Sequence, residues 1–349
     1  MRAWPPAWAH LQPNCKFIAS YMEMIKSVYP TICYIAAVCM VAAMTACTSS
    51  PGGETDPELN EYPIAFQSPQ MESRGAVDNV QDMSDFWVWG WRTPENESPV
   101  PVFEGEKVSA GSWTYEGGTR YWVMDQTYNF YAVHPVFPLE GNETTVNVTP
   151  DGTFTINNFD CSKTGDEAVD LMTASAKGLI YKTGETPQKV GLEFKHELCK
   201  VEVIVKTDQG VTITLHDAYF YGMAVNGTLS QRSGNSLWTL DENVTGQTDT
   251  PYYNKQAEKE LKPVSQLSLF DEMLLIPQEC TEVKLVVSFT RSKERFTETI
   301  DFNQFIPEWS AGQNYRFVVT IEADAITFGS FTVDEWGETN TGGNINIGK

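Results

Sequence analysis

Three tryptophans spaced two apart, Trp87, Trp89 and Trp91, are the side chains here best suited to holding a ligand. Alternate residues of a β-strand share a face, so the three could form a platform on which sugar rings stack. Phe86 and Val88 would then line the opposite face, and a strand apolar on both faces can equally well pack beneath a neighbouring loop or a partner subunit. Groups for acid-base or nucleophilic chemistry are thinly spread. His134, His196 and His216 have no metal-binding spacing such as HExxH, and no CxxC pair occurs. His216-Asp217 could supply half of a triad, but no GxSxG turn accompanies it. Asp166-Glu167 and Asp271-Glu272 read as solvated turns, because neighbours on a strand point opposite ways and cannot flank one glycosidic bond. No glycine-rich phosphate loop is present. The sequence therefore predicts no enzyme, no metal site and no cofactor.

Cys47 carries a different chemistry. A basic residue, Lys26, precedes an uncharged run of 13 residues from Ile32 to Met44, and Thr45-Ala46 lead directly into the cysteine. The run is well short of the roughly 20 residues needed to span a bilayer, so it reads as a secretion signal rather than a membrane anchor. It resembles the lipobox of Gram-negative lipoproteins, in which the cysteine thiol is acylated and becomes the first mature residue. Residues before Met24 read as an upstream extension of the frame, and 1–46 is taken as leader and signal. The expected location is the outer membrane surface, reached through lipid on Cys47.

Composition narrows the function further. Without the leader, which takes Arg2, Lys16, Lys26 and Glu23 with it, 21 basic and 45 acidic side chains remain, an excess that opposes binding to nucleic acid or anionic lipid. Cys161, Cys199 and Cys280 are an odd number and cannot all pair within the chain; Cys199 and Cys280 sit in apolar strand-like contexts and read as buried free thiols rather than as a disulfide framework or catalytic site. Residues 47–59, rich in Ser, Pro, Gly and acid, have the composition of a flexible linker.

Beyond the linker the dominant period is two. Tyr62, Ile64 and Phe66 recur at every second position, as do Val283, Leu285, Val287 and Phe289, and again Tyr315, Phe317, Val319 and Ile321. Turn residues punctuate these runs at Pro150-Asp151-Gly152, Asp208-Gln209-Gly210 and Asn226-Gly227. The pattern predicts an all-β chain of short antiparallel strands, with at most a helical turn or two near Asp166 to Met172. Between Gly191 and Val205 the apolar parity slips: Leu192, Phe194, His196 and Leu198 hold one face, then Val201, Val203 and Val205 the other. A β-bulge, or a strand crossing between sheets near Leu198-Cys199, explains the slip. With a polar stretch just before it, the expected boundary lies near residue 187, giving tandem β-sandwiches over 60–187 and 188–349.

Several segments together resemble the fimbrillin-like family, subunits of type V pili and related surface lipoproteins. They are Ser73-Arg74-Gly75 with Phe86-Trp87-Val88, then Trp113-Thr114-Tyr115, Tyr121-Trp122 and Tyr128-Asn129-Phe130-Tyr131. Val190-Gly191-Leu192-Glu193-Phe194-Lys195-His196, Leu275-Ile276-Pro277-Gln278, Trp309-Ser310-Ala311-Gly312-Gln313-Asn314-Tyr315 and Val333-Asp334-Glu335-Trp336 complete the set. The resemblance implies two transthyretin-like β-sandwiches, a place in the fimbrium, a part in adhesion, and other subunits as partners through donor-strand exchange. In that scheme a protease cuts between Arg74 and Gly75, removing a first strand that carries Tyr62, Ile64 and Phe66, and a neighbour's strand refills the groove. At the far end, in the tail 339–349, Ile345 and Ile347 alternate after Gly342-Gly343; this tail either donates a strand or finishes the second domain. The competing reading is a monomeric glycan-binding lipoprotein of a nutrient-uptake system, using the Trp87, Trp89, Trp91 face.

Overall fold

The computed structural model describes residues 62–71, 83–138, 143–232, 234–241 and 252–336. Cys47, Arg74, Gly75, Ile345 and Ile347 lie outside them. Among the described residues the regular structure is all β apart from two short 3-10 turns, one of them at Gly165–Glu167 where a helical turn was expected. The chain first forms β1 (Gln70–Met71), β2 (Phe86–Thr93), β3 (Val100–Ser109), β4 (Thr114–Tyr115), β5 (Thr127–His134), β6 (Thr145–Val148), β7 (Phe154–Asp160), β8 (Met172–Ile180) and β9 (Glu193–His196). It continues through β10 (Cys199–Thr207), β11 (Ile213–Tyr221), β12 (Asn226–Arg232), β13 (Asn235–Leu240), β14 (Tyr252–Leu261), β15 (Gln266–Ser268), β16 (Met273–Leu275) and β17 (Gln278–Glu279). The last strands are β18 (Lys284–Arg291), β19 (Glu294–Asp301), β20 (Glu308–Trp309), β21 (Gln313–Ile321) and β22 (Ile326–Glu335).

Seven strands make the first sheet, in the order β1-β9-β8-β5-β2-β3-β4. It has an apolar core on each face. Phe86 and Val88 of β2 point into one core with Ile64, Phe66, Phe103, Phe130 and Phe194, whereas Trp91 points into the other with Tyr131 and Val133. Apolar contacts on both faces give β2 its almost continuous aromatic run, although only at Gly90-Trp91 are successive residues fully buried, Trp87 and Trp89 being half-buried.

Beyond β9 the chain enters other sheets. β10 lies between β21 and the short β15 and β16, while β11 lies between β14 and β18. Val201, Val203 and Val205 of β10, Leu215 and Phe220 of β11, Leu285 and Val287 of β18, and Phe317 and Val319 of β21 fill a common core. Phe302 spans it, 5.3 Å from the Phe220 ring and 4.6 Å from the Phe317 ring. The apolar phase slip has the second of its two expected causes: β9 pairs with β8 of the first sheet, and after two intervening residues β10 starts in another. Position 187 falls between β8 and β9, both in the seven-stranded sheet. A further four-stranded sheet, β13-β12-β7-β6, takes two strands from each side of that position.

Two features depart from the expected antiparallel pattern. β1 runs parallel to β9, and β10 runs parallel to β21 from Lys200↔Asn314 to Thr207↔Ile321. Parallel neighbours need a long connection, and in each pair more than 100 residues separate the partners, so the chain has ample length for it. Asn226-Gly227, expected as a turn, instead opens β12, where pairing with β7 and β13 overrides local turn preference. The turns at 150–152 and 208–210 lie where expected, between β6 and β7 and between β10 and β11.

Candidate functional site: the first segment and its groove

The segment 62–71 lies in a slot with backbone on both sides. On one side Ile64 N donates to Arg120 O at 2.8 Å and Trp122 N donates to Tyr62 O at 2.9 Å. On the other, Val190 N donates to Ala65 O at 2.7 Å, Gln67 N to Val190 O at 3.0 Å and Gln70 N to Leu192 O at 2.8 Å, before β1 joins β9.

The side chains alternate as the sequence predicts. Ile64 and Phe66 are 1% and 3% exposed, while Pro63 before them and Gln67 after them face out and Ala65 between them is half-buried. Phe66 meets Phe103, Phe130, Tyr115 and Phe86 edge to face at 5.7, 6.0, 6.1 and 6.4 Å, an aromatic floor made by β2, β3, β4 and β5. Tyr62 is half-buried, with its ring 5.4 Å from Tyr181. Burying Ile64 and Phe66 at roughly 1.5–3 kcal/mol each, with the hydrogen bonds, makes this segment an integral part of its core.

Arg120 fixes one wall of the slot. Its guanidinium donates from Nη1 to the carbonyls of Gly117 and Gly118, both at 2.6 Å, from Nε to Val102 O at 3.2 Å, and pairs with Glu106. The Tyr115 hydroxyl accepts from Arg120 N at 3.1 Å and donates to Ile64 O at 3.0 Å. Residues 115–122 thus form a clasp over the segment. Tyr115 and Tyr121-Trp122 stand out in the sequence as aromatic motifs, but nothing in the sequence identifies Arg120 as the residue that holds them.

The three tryptophans take different environments. Trp91 is buried, 5.9 Å from the Tyr131 ring. Trp87 and Trp89 are half-buried with centroids 6.2 Å apart and planes tilted by 34°. They line a cleft of about 560 Å³ with Gly105, Phe137, Pro138 and Val146, and Trp87 Nε1 donates to Phe137 O at 3.0 Å.

The histidines and cysteines are held in the framework. His134 Nδ1 lies 3.2 Å from Asp170 O and Nε2 lies 3.0 Å from Ser84 Oγ. A carbonyl can only accept, so Nδ1 carries the proton and Nε2 accepts from the serine. Burial pushes the His134 pKa below its ordinary value, against the raising effect of Asp170. His196 Nδ1 lies 3.0 Å from Asp170 Oδ1, and its ring stacks on Trp336 at 4.0 Å. His216 pairs with Thr290 Oγ1 at 2.6 Å on the neighbouring strand. Cys161, Cys199 and Cys280 are buried and in no disulfide; burial raises the Cys199 thiol well above its ordinary pKa and the Cys280 thiol to about 12. Protonated, enclosed thiols are poor nucleophiles. Among the described residues no cluster of His, Cys, Asp and Glu could hold a metal.

Reading the sequence also missed Glu197, 1% exposed at the crossing from β9 to β10. Its carboxylate accepts from Thr173 Oγ1, Gln231 Nε2 and Ser236 Oγ, each at 2.6 Å, with Lys195 Nζ at 3.6 Å. β8, β12 and β13 supply the three short contacts, so this one side chain ties two sheets together at the crossing. Its only signal in sequence is a charged residue inside the apolar phase slip.

Comparison with solved structures finds low-identity likenesses. A candidate cell adhesion protein of Bacteroides uniformis is 18% identical with a TM-score of 0.49, over 78% of this chain and 99% of that one. One of Bacteroides ovatus is 15% identical with a TM-score of 0.48, over 79% and 97%. A fimbrial assembly protein of Parabacteroides distasonis is 9% identical with a TM-score of 0.37, over 79% and 95%. No curated protein matches. The family model described as fimbrillin-like matches residues 73–336, most of the chain and every strand from β2 to β22, and the chain therefore belongs to the fimbrillin-like family.

Proposed function

We propose that this chain is a fimbrial subunit or an accessory or tip adhesin, exported as a lipoprotein through Cys47, cut between Arg74 and Gly75, and joined to other subunits by strand exchange. Family membership supports a cell-surface fimbrial role, with other fimbrial subunits as partners. The observation that carries the finer reading is the slot: segment 62–71 has hydrogen-bonded backbone on both sides and buries Ile64 and Phe66 in an aromatic floor. Removing it would leave apolar side chains and two backbone edges uncovered, and an incoming strand with alternate apolar residues satisfies both at once. The tail with Ile345 and Ile347 is the strand this chain would offer a neighbour. In this reading 60–187 and 188–349 are transthyretin-like β-sandwiches in tandem, trading strands at β9 and in the β13-β12-β7-β6 sheet.

The test is limited digestion of the Cys47→Ser chain with an arginine-specific protease. New N-termini are read by mass spectrometry and assembly by light scattering. Cutting dominated by Gly75 as the new N-terminus, followed by growing oligomers, is the expected result. Resistance of Arg74, or a processed chain that neither oligomerises alone nor accepts an added donor-strand peptide, favours the monomeric glycan-binding reading.

A further inference from the structure

We propose that the cleft between Trp87 and Trp89 is a binding site for a neutral hexopyranose chain, a site separate from the first-segment groove and independent of strand exchange. β2 buries Phe86, Val88 and Trp91 but leaves Trp87 and Trp89 half-buried, side by side on one wall of a concavity of about 560 Å³. That volume is within the roughly 300–1,000 Å³ of small-ligand sites. The two indoles are held in place before any ligand arrives. Trp87 is anchored through Nε1 to Phe137 O, and Trp89 lies against Gly105, where a Cβ would come within 3.2–3.3 Å of the indole.

The chemistry of the rim selects the occupant. Apolar C–H faces of a pyranose pack on indole, while its hydroxyls need acceptors; Glu104 and Glu143 stand exposed at the edge of the cleft beside Thr145. A peptide strand would need a free backbone edge, and β2 has none, being paired with β3 on one side and β5 on the other. An anionic sugar would meet two carboxylates at the rim and a chain of net charge −22. A neutral glycan satisfies the indoles and the acceptors together.

Affinity electrophoresis of the Cys47→Ser chain tests this, in gels cast with a β-glucan, an α-mannan, a galactan or, as the anionic comparison, hyaluronate. Retardation is expected in at least one neutral gel, and Trp89→Ala should weaken it at least tenfold. Gly105→Ala keeps both indoles but puts a methyl group against Trp89 at a backbone φ of +89°, and should weaken it as well. Tyr219→Ala, removing an aromatic ring on β11 that does not line the cleft, should leave retardation unchanged. Thermal melts confirm that each variant is folded. Free migration in all three neutral gels overturns the proposal, as does retardation confined to hyaluronate or retardation untouched by both cleft variants.

Discussion

Phe66 sets the energetic weight of the first segment, because one ring fills the space between four others. Phe66→Ala should cost about 3–5 kcal/mol in chemical denaturation, with a cavity left on the floor of the groove. Glu197 is the polar counterpart. Glu197→Gln turns an acceptor of three short hydrogen bonds into a group that must present an N–H to donors, so roughly 1–3 kcal/mol should be lost although shape and volume are kept. His134 adds a pH dependence of known sign. Its imidazole is depressed below the ordinary value near 6.5, so as pH falls through that value the unfolded chain takes up a proton that the native ring refuses. Stability present above 6.5 is therefore lost on acidification towards the lower native pKa. Melts at pH 7.5 and 5.5 should differ, and His134→Gln should reduce the difference; Asp170 and His196, its charged and titratable neighbours, remain in both proteins.

At the scale of elements, the clasp 115–122 and the edge 190–192 hold the first segment from opposite sides, and only the clasp depends on Arg120. Arg120→Ala should speed hydrogen exchange at the Ile64 and Trp122 amides while leaving Val190 and Gln70 protected; uniform loss on both sides would mean that the slot opens as one unit. The strands themselves were legible where apolar residues recur with period two: Tyr315 to Ile321 fall on the half-buried β21 with their apolar residues inward, and Leu285, Val287 and Phe289 fall inward on β18, where Val286 and Ser288 between them are buried as well. The slip before Val201 was equally readable, since parity cannot change within one flat strand without a bulge or a change of sheet. What stayed hidden is long-range. The parallel pairs β1–β9 and β10–β21, the shared β7–β12 contact and the clasp join residues far apart in sequence, and local patterning says which face is buried but not which strand lies alongside. The split of Trp91 from Trp87 and Trp89 was hidden for the same reason, since all three share parity and only long-range packing, which sets Trp91 against Tyr131 in the larger core, decides which is covered.

For the whole molecule, the two cores respond differently to loss of the first segment. Ile64 and Phe66 belong to the smaller core, on the face of the seven-stranded sheet away from β6 and β7. The larger core runs continuously from Trp91 and Tyr131, through the β13-β12-β7-β6 sheet, into the packed faces of β10, β11, β18 and β21, and contains neither residue. A chain that starts at Gly75 therefore loses about 3–6 kcal/mol of apolar burial from one core and nothing directly from the other. A domain of this size shifts by roughly 2–4 °C per kcal/mol, so the transition of the smaller core should fall by on the order of 10 °C while that of the larger core holds. One melting transition should become two on calorimetry, and a peptide of residues 60–72 should merge them again by refilling the slot. A Gly75 chain that melts in one step at the temperature of the intact protein would show that the segment is not the keystone of its core, and strand replacement would then lose its driving force.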